Sequence, residues 1–318
     1  MADYTWYGHD LSYFSRKMES ALTFYGAPFE RVEVKLGVVT EEARKRAGTH
    51  VIPVLETPEG WALWDTTPIM FMLDGRFPKR RMFADGELGI LIHMIENFLD
   101  EWLGRTVVHY RWHYPECASF AAPIMAMGNE EVAKGIAAWG LKACRATGVE
   151  PLHQQAMAEA EYERILASAD RQLQQTRYLM GDAPCAVDAV ILGGLRAHTM
   201  VDPVPRKLVD KYPRVRDWAL TDNPDGADAW DGCGSVYSTE FAQDMLTEMR
   251  VGFEAFALGN KVALAAGEKL FTANVYDEDV TYLARPYPEK ARQMVTEHIL
   301  REGSEAYVRS LELGDLYL

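Results

Sequence analysis

Pro53 constrains this chain more than any other residue. It interrupts a strand-like run, with Val51-Ile52 before it and Val54-Leu55-Glu56 after it. Proline has no N–H to give to a ladder, so it belongs at the start or the edge of a strand. A turn into such a strand is one of the few places where a cis X-Pro bond is worth its cost of about 0.5–1 kcal/mol. The proline also leaves the N–H and C=O of Ile52 facing outward, where an extended peptide can pair with them as an added strand. Thr57-Pro58-Glu59-Gly60 then turns, Trp61-Ala62-Leu63-Trp64 returns, and Asp65-Thr66-Thr67-Pro68-Ile69 opens a helix. Asp65 is a good N-cap, and Pro68 is tolerated in a first turn. Free N–H groups at a helix start make a small anion site. The stretch His50–Ile69 thus offers peptide pairing beside a carboxylate-binding corner. An ordinary hairpin followed by a capped helix would use the same residues.

The flanking sequence supplies the rest of a small mixed sheet. Tyr4–Tyr7 reads as a first strand. Ser12–Tyr25 reads as a helix, with Phe14, Met18, Leu22 and Tyr25 at helical spacing and Gly26-Ala27-Pro28 ending it. Phe29–Leu36 alternates as a second strand, and Thr40–Ala47 forms a charged helical turn. The order is β-α-β-α-β-β-α, which suits a sheet with helices on its faces. Asp74-Gly75-Arg76-Phe77-Pro78 reads as a linker.

Beyond it the pattern is helical: Glu87–Arg111 as one long helix, then Glu130–Thr147, Leu152–Gln175, the almost wholly apolar Ala186–His198, Val204–Tyr212 and Val215–Leu220. Thr221–Gly234 is rich in Asp and Gly and reads as a surface linker. Thr239–Lys269 is helical, Leu270–Arg285 a hairpin turning at Asp277-Glu278, and Pro288–Arg309 a last helix. Three units follow: residues 1–77, 85–222, and an extension over 223–318 that is mainly helical.

With 318 residues the chain is long enough for two domains and a large core. A net charge of −14 leaves no basic surplus for phosphates, which argues against nucleic acid or an anionic membrane as partner. No apolar run is long enough to span a bilayer. Cys117, Cys144, Cys185 and Cys233 are scattered without CxxC spacing and read as reduced thiols, so a cytoplasmic location is expected.

Four segments, in order, resemble the glutathione transferase family over roughly residues 4–222, in a serine/cysteine-type, bacterial-like form. Val51-Ile52-Pro53-Val54-Leu55 is similar to its cis-proline segment. Asp65-Thr66-Thr67-Pro68-Ile69 is similar to its acid–hydroxyl pair, with Thr where Ser is usual. Gly181–Asp188 resembles the segment capping its buried helix, with Cys185 where Ser or Thr is usual and Asp188 at the acidic position. Lys211–Trp218 resembles its tyrosine–proline–tryptophan segment. The resemblance implies a thioredoxin-like α/β domain followed by an all-α domain, here with the extension added. It also implies glutathione as co-substrate and a homodimer.

Ser12 lies where the family places its catalytic Cys or Ser, and Tyr13 stands where cysteine-type members have proline. A free thiol with a pKa near 8.5 is only a few per cent thiolate at pH 7. Making thiolate the major form takes ~2 pKa units, about 2.7 kcal/mol. One charge-assisted hydrogen bond is worth ~1.5–3 kcal/mol, so the Ser12 hydroxyl is close to sufficient. Without a thiol at that point, thiol–disulfide exchange is disfavoured. Tyr7 is the rival donor. Ile52 beside Pro53 would pair with the cysteinyl part of the tripeptide, Thr66 would hold the γ-glutamyl carboxylate and Asp65 its ammonium. Lys35 and His50 are the candidates for the glycyl carboxylate. His109, Trp112 and His113 are expected to line the pocket of a small, apolar or aromatic electrophile. His109 and His113 are four apart, a spacing that can bind metal, but no HExxH pattern or cysteine accompanies them, and no metal is expected. The expected activity is attack of the glutathione thiol on an electrophile by conjugation, ether cleavage or dehalogenation. The alternative is a non-catalytic binding or scaffold protein on the same fold.

Overall fold

The computed structural model describes residues 3–34, 41–49, 51–221, 230 and 233–318. The N-terminal elements are β1 (Tyr4–Gly8), α1 (Tyr13–Tyr25), β2 (Phe29–Glu33), α2 (Glu41–Ala47), β3 (Val54–Glu56), β4 (Ala62–Trp64) and α3 (Thr66–Arg76). The sheet order is β2-β1-β3-β4, with β1 parallel to β2 and the other pairs antiparallel. Alternation sorts the strand side chains by face. Tyr4, Trp6 and Leu55 enter the main core with α1 and α3. Tyr7 and Val54 meet Val34 and Ala43 in a small cluster on the other face, towards α2. The Ile52–Pro53 bond is cis. Ser12 caps α1, and Gly26, at φ +64, closes it in the left-handed region that glycine tolerates best.

Two expectations at the first domain's end are corrected. Residues 74–76 belong to α3 rather than to a linker, and the buried Asp74 carboxylate accepts from the Met82 and Phe83 N–H groups at 2.7 and 3.1 Å. Asp65 holds the N-cap position of α3 at φ +78, but its side chain makes no cap hydrogen bond.

The helical part comprises α4 (Gly86–Trp102), α5 (Gly104–His113), α6 (Pro115–Met125), α7 (Glu130–Ala146), α8 (Leu152–Gln172), α9 (Ala186–Gly194), α10 (Pro203–Val209) and α11 (Pro213–Leu220). The single helix expected over 87–111 is broken at Leu103, just before Gly104, a poor helix former. α6 was not foreseen. α9 continues as a π-helical turn over Leu195–Thr199. α9 is capped as expected: Asp188 accepts from the Cys185 N–H at 2.8 Å and also from the Leu179 N–H at 2.8 Å. Gly193 and Gly194 let α1 lie directly on α9, since a Cβ there would come within 2.9 Å of the Tyr13 carbonyl oxygen and 2.6 Å of its ring.

The extension contains α12 (Glu240–Glu248), a π-helical turn (Met249–Phe253), α13 (Glu254–Ala265), β5 (Leu270–Val275), β6 (Glu278–Leu283), α14 (Pro286–Glu302), α15 (Glu305–Ser310) and α16 (Gly314–Tyr317). The hairpin turns at Tyr276-Asp277, one residue earlier than expected, with both residues at positive φ as a tight two-residue turn requires. The last helix expected over 288–309 is divided at Gly303, φ +64. Most of the expected linker over 221–234 lies outside the described residues; Trp230 is described, and its Nε1–H donates to the Phe24 carbonyl at 2.7 Å. The extension shares the main core: Phe253, Phe256 and Tyr282 surround Trp102, α12 packs on α8, and α14 packs on α4.

One buried ion cluster ties α1, α3 and α4 together. The Lys17 ammonium, with no solvent exposure, lies 2.5 Å from Glu96 and 2.7 Å from Asp100, and donates to the Thr67 hydroxyl at 3.3 Å. Thr67 in turn donates to Glu96 at 2.7 Å. Burial alone would push the Lys17 pKa down; the two carboxylates more than reverse that and hold it above its usual value. Removing one partner of a buried pair leaves an uncompensated charge. Lys17→Met is expected to lose about 3–5 kcal/mol in urea unfolding, and adding Glu96→Gln should recover part of it. A loss below about 1 kcal/mol would contradict this account.

Candidate functional site

The strand register brings three loops to one end of the sheet. Val54 pairs with Tyr7 on one side and Trp64 on the other. Pro53 precedes Val54, Asp65 follows Trp64, and the loop 9–12 follows Gly8 at the end of β1. The start of α1, the cis-proline and the start of α3 therefore share that end. Ile52 is half-buried, and its N–H and C=O have no hydrogen-bond partner among the described residues.

Ser12 sits at the N-cap of α1, where its hydroxyl oxygen accepts from the Ser15 N–H at 3.3 Å. That bond occupies the acceptor side and leaves the hydroxyl proton free to donate. No acidic residue stands in the first turn of α1, and the nearby Asp10 carboxylate is paired with Arg16 at 3.3 Å. The loop is held rigidly. The Ser12 N–H donates to the His9 carbonyl at 3.0 Å, and the Leu11 N–H donates to His9 Nδ1 at 3.0 Å. Burial holds the His9 pKa below its usual value, which keeps the ring neutral and able to accept. Arg111 of α5 donates to the Leu11 carbonyl at 2.7 Å and to the Ala197 carbonyl at 2.6 Å, and pairs with Asp202 at 3.0 Å.

Tyr7 is placed differently. Its hydroxyl donates to Glu56 at 3.4 Å, on the face of the sheet away from α1. At the other corner, Thr66 is buried at the start of α3. The Asp65 carboxylate pairs with Lys290 of α14 at 3.0 Å. Lys35 and His50 lie outside the described residues.

The residues expected to line an electrophile pocket do not face the Ser12 loop. His109 is buried, with Nε2 2.8 Å from Glu159 of α8 and Nδ1 2.8 Å from Nδ1 of His113. Trp112 packs under α7, where a Cβ on Gly140 would meet its ring at 2.2 Å. Within the same run, helical geometry turns Arg111, not these three, towards the Ser12 loop. Lys17 and Lys290 were missed as well. A lysine within an amphipathic helix carries no local sign of burial, and nothing in the sequence links Lys290 to Asp65.

Residues 7–81 match a family model described as the glutathione S-transferase N-terminal domain. Among solved structures, a glutathione S-transferase from Rhodospirillum rubrum F11 is 16% identical, covers 76% of this chain and 99% of its own, and superposes with a TM-score of 0.50. One from Sinorhizobium meliloti 1021 is 15% identical over 76% of this chain and 99% of its own, at 0.49. One from Methylobacterium radiotolerans JCM 2831, in complex with glutathione sulfonate, is 17% identical over 74% and 99%, at 0.48. The first of these shows a shared fold, a thioredoxin-like domain followed by a helical one. No curated protein sequence matches the chain. No helix among the described residues is long and apolar enough to cross a membrane.

Arg111 of α5 joins the first domain to the helical part at Leu11, and that contact is expected to weaken in acid. His198 lies beside it, 3.4 Å from Arg111 and 3.5 Å from Asp202. Burial, reinforced by Arg111 and only partly offset by Asp202, lowers its pKa to about 4. The unfolded chain therefore takes up this proton first as pH falls, so stability present above about pH 6.5 is lost progressively towards pH 4. The loss attributable to His198 is about 3 kcal/mol. Urea unfolding across that range should show it, and His198→Gln should flatten the slope; an unchanged slope would remove His198 from the account.

Proposed function

We propose that this protein is a glutathione-dependent transferase or lyase, in which the Ser12 hydroxyl ionises the glutathione thiol for attack on a small electrophile. The observation that carries this reading is the convergence of Ser12, Ile52-Pro53 and Thr66 at one end of the sheet. Solved structures of similar fold contain glutathione or its sulfonate, which agrees with it. In this reading the unpaired backbone of Ile52 takes the cysteinyl segment, Thr66 the γ-glutamyl carboxylate and Asp65 the ammonium. The thiolate then lies at the positive end of α1, stabilised by the proton that Ser12 has left to give. Conjugation, ether cleavage and dehalogenation all begin from that thiolate and differ in the leaving group. The working form is a homodimer in the cytoplasm.

A second reading, a non-catalytic binding or scaffold protein, is favoured by one observation: Asp65 already holds an ammonium group, that of Lys290.

Rates over a panel of electrophiles and the ultraviolet absorbance of bound thiolate test the first reading. Ser12→Ala is expected to raise the bound-thiol pKa by ~2 units and lower kcat/KM about 25-fold at pH 7. Tyr7→Phe should stay within about twofold of wild type. Thr66→Ala should weaken glutathione about tenfold or more in calorimetry, the loss of one hydrogen bond to a charged group. Full activity in Ser12→Ala would sink the catalytic assignment, and absence of glutathione binding in the wild type would favour the scaffold.

A further inference from the structure

A narrow cleft separates the start of α3 from α4 and α14. It is lined by Asp65 and Thr67 of the first domain, Asn97 and Glu101 of α4, and Tyr287 and Met294 of the extension, with Glu96 and Asp100 on its floor. Tyr287 also packs edge-on against Trp64, and the Lys290 ammonium lies 5.2 Å over the Trp64 ring. The extension thus roofs the corner where the first domain would hold the amino-acid end of a peptide.

Charge bookkeeping in this cleft is informative. Lys17 is consumed by Glu96 and Asp100. Asp65 is left to Lys290, and Glu101 faces the charge of Arg285. Burial raises the Glu101 pKa to about 7, with Arg285 and Lys17 pulling it down and Asp65 and Glu96 pushing it up. Asn97 is 2% exposed; its Oδ1 accepts from the Tyr317 hydroxyl at 3.0 Å, but its Nδ2 has no acceptor among the described residues. Asn97 thus adds one unmet donor to the lining of the cleft. The Lys290 side chain is 51% exposed, and an ion pair so exposed is worth only about 0–1 kcal/mol, so exchanging its partner costs little. The first-turn N–H groups of α3, which Asp65 does not cap, point to the same corner.

We propose that Lys290, supplied by the C-terminal extension, is the specificity-determining cation for the amino-acid end of the bound tripeptide: it gives up Asp65 and joins Thr66 on the ligand's α-carboxylate, while Asp65 takes the ligand's ammonium. This rests on the reading of the site as a glutathione site. A zwitterionic end brings one charge of each sign, so Lys290 and Asp65 both keep a partner after the exchange. A ligand carrying only the carboxylate or only the amine breaks the Lys290–Asp65 pair and replaces only one half of it.

The test is calorimetry with glutathione and two analogues: γ-aminobutyryl-cysteinylglycine, which lacks the α-carboxylate, and glutaryl-cysteinylglycine, which lacks the α-amine. Wild type is expected to bind glutathione more tightly than either. Lys290→Met should weaken glutathione up to about fivefold, about 1 kcal/mol, yet leave the analogue without the carboxylate unchanged or bound more tightly, because Asp65 no longer has Lys290 to give up. Lys290→Arg should restore most of the loss. A Lys290→Met protein that binds glutathione as tightly as wild type, or more tightly, would overturn the proposal and make Lys290 a plug on Asp65. If wild type binds no glutathione, the reading of the site itself fails, an outcome distinct from the first.

Discussion

Val54 stands between Tyr7 and Trp64 in the sheet, and the geometry of the whole site follows from that pairing. Its neighbour Leu55 is buried in the main core, while Val54 is buried in the cluster towards α2. A slip of one residue would turn both to the wrong face. Fully burying side chains of this size contributes roughly 1.5–3 kcal/mol each, so a slipped register forfeits several kcal/mol. Apolar packing on the two faces thus decides where polar groups at the sheet end will lie. Pro53 cannot take part in the ladder, and its place next to Val54 leaves the Ile52 backbone open at that same end.

Beneath this end the chain places charge rather than hydrocarbon. Lys17 lies just over one turn into α1 from Ser12, and it grips Thr67 of α3 and two carboxylates of α4. The two helices whose starts form the site are thereby bolted to the helical part. Arg111 does the same for the Ser12 loop from α5, with Asp202 holding it from behind. A buried ion pair seldom adds much net stability. Its use here is positional: it fixes which helix ends face each other, which apolar contacts, being non-directional, do less sharply.

The order of elements in the first domain, the first helix starting at Ser12 and the long apolar helix could be read because each element is encoded over a few consecutive residues. Period, cap and turn chemistry are local signals. The hairpin near Asp277 was also legible, though placed one residue late, since Tyr276 at positive φ carries no turn signature. The break at Leu103 was not legible: residues 87–111 keep one apolar period, and a lone glycine is weak evidence. Asp74 read as linker because its partners, Tyr25, Met82 and Phe83, are set by folding back of the chain. Arg111, Lys17 and Lys290 failed for a common reason. A long cation looks solvated in sequence, and only the tertiary structure shows which carboxylate it meets.

The extension illustrates how such a contact becomes part of the site. α14 is held on α4 by a buried histidine pair, His93 and His298, 3.1 Å apart between Nδ1 atoms. Phe71 stacks on Phe83 beside them, and both rings lie edge-on to His93. Burial holds both imidazoles below their usual pKa, so the pair is neutral near pH 7 and one ring can donate to the other. The Tyr317 hydroxyl adds a second tie, to Asn97. These contacts lie on α4, the helix that also carries Glu96 and Asp100, so the roof and the floor of the cleft share one scaffold. Lys290 therefore reaches Asp65 across 225 positions of sequence from a firmly held backbone, while its own side chain stays half in water. A rigid stem with a loose tip can change ionic partners without disturbing the core, which no residue on a buried helix face could do.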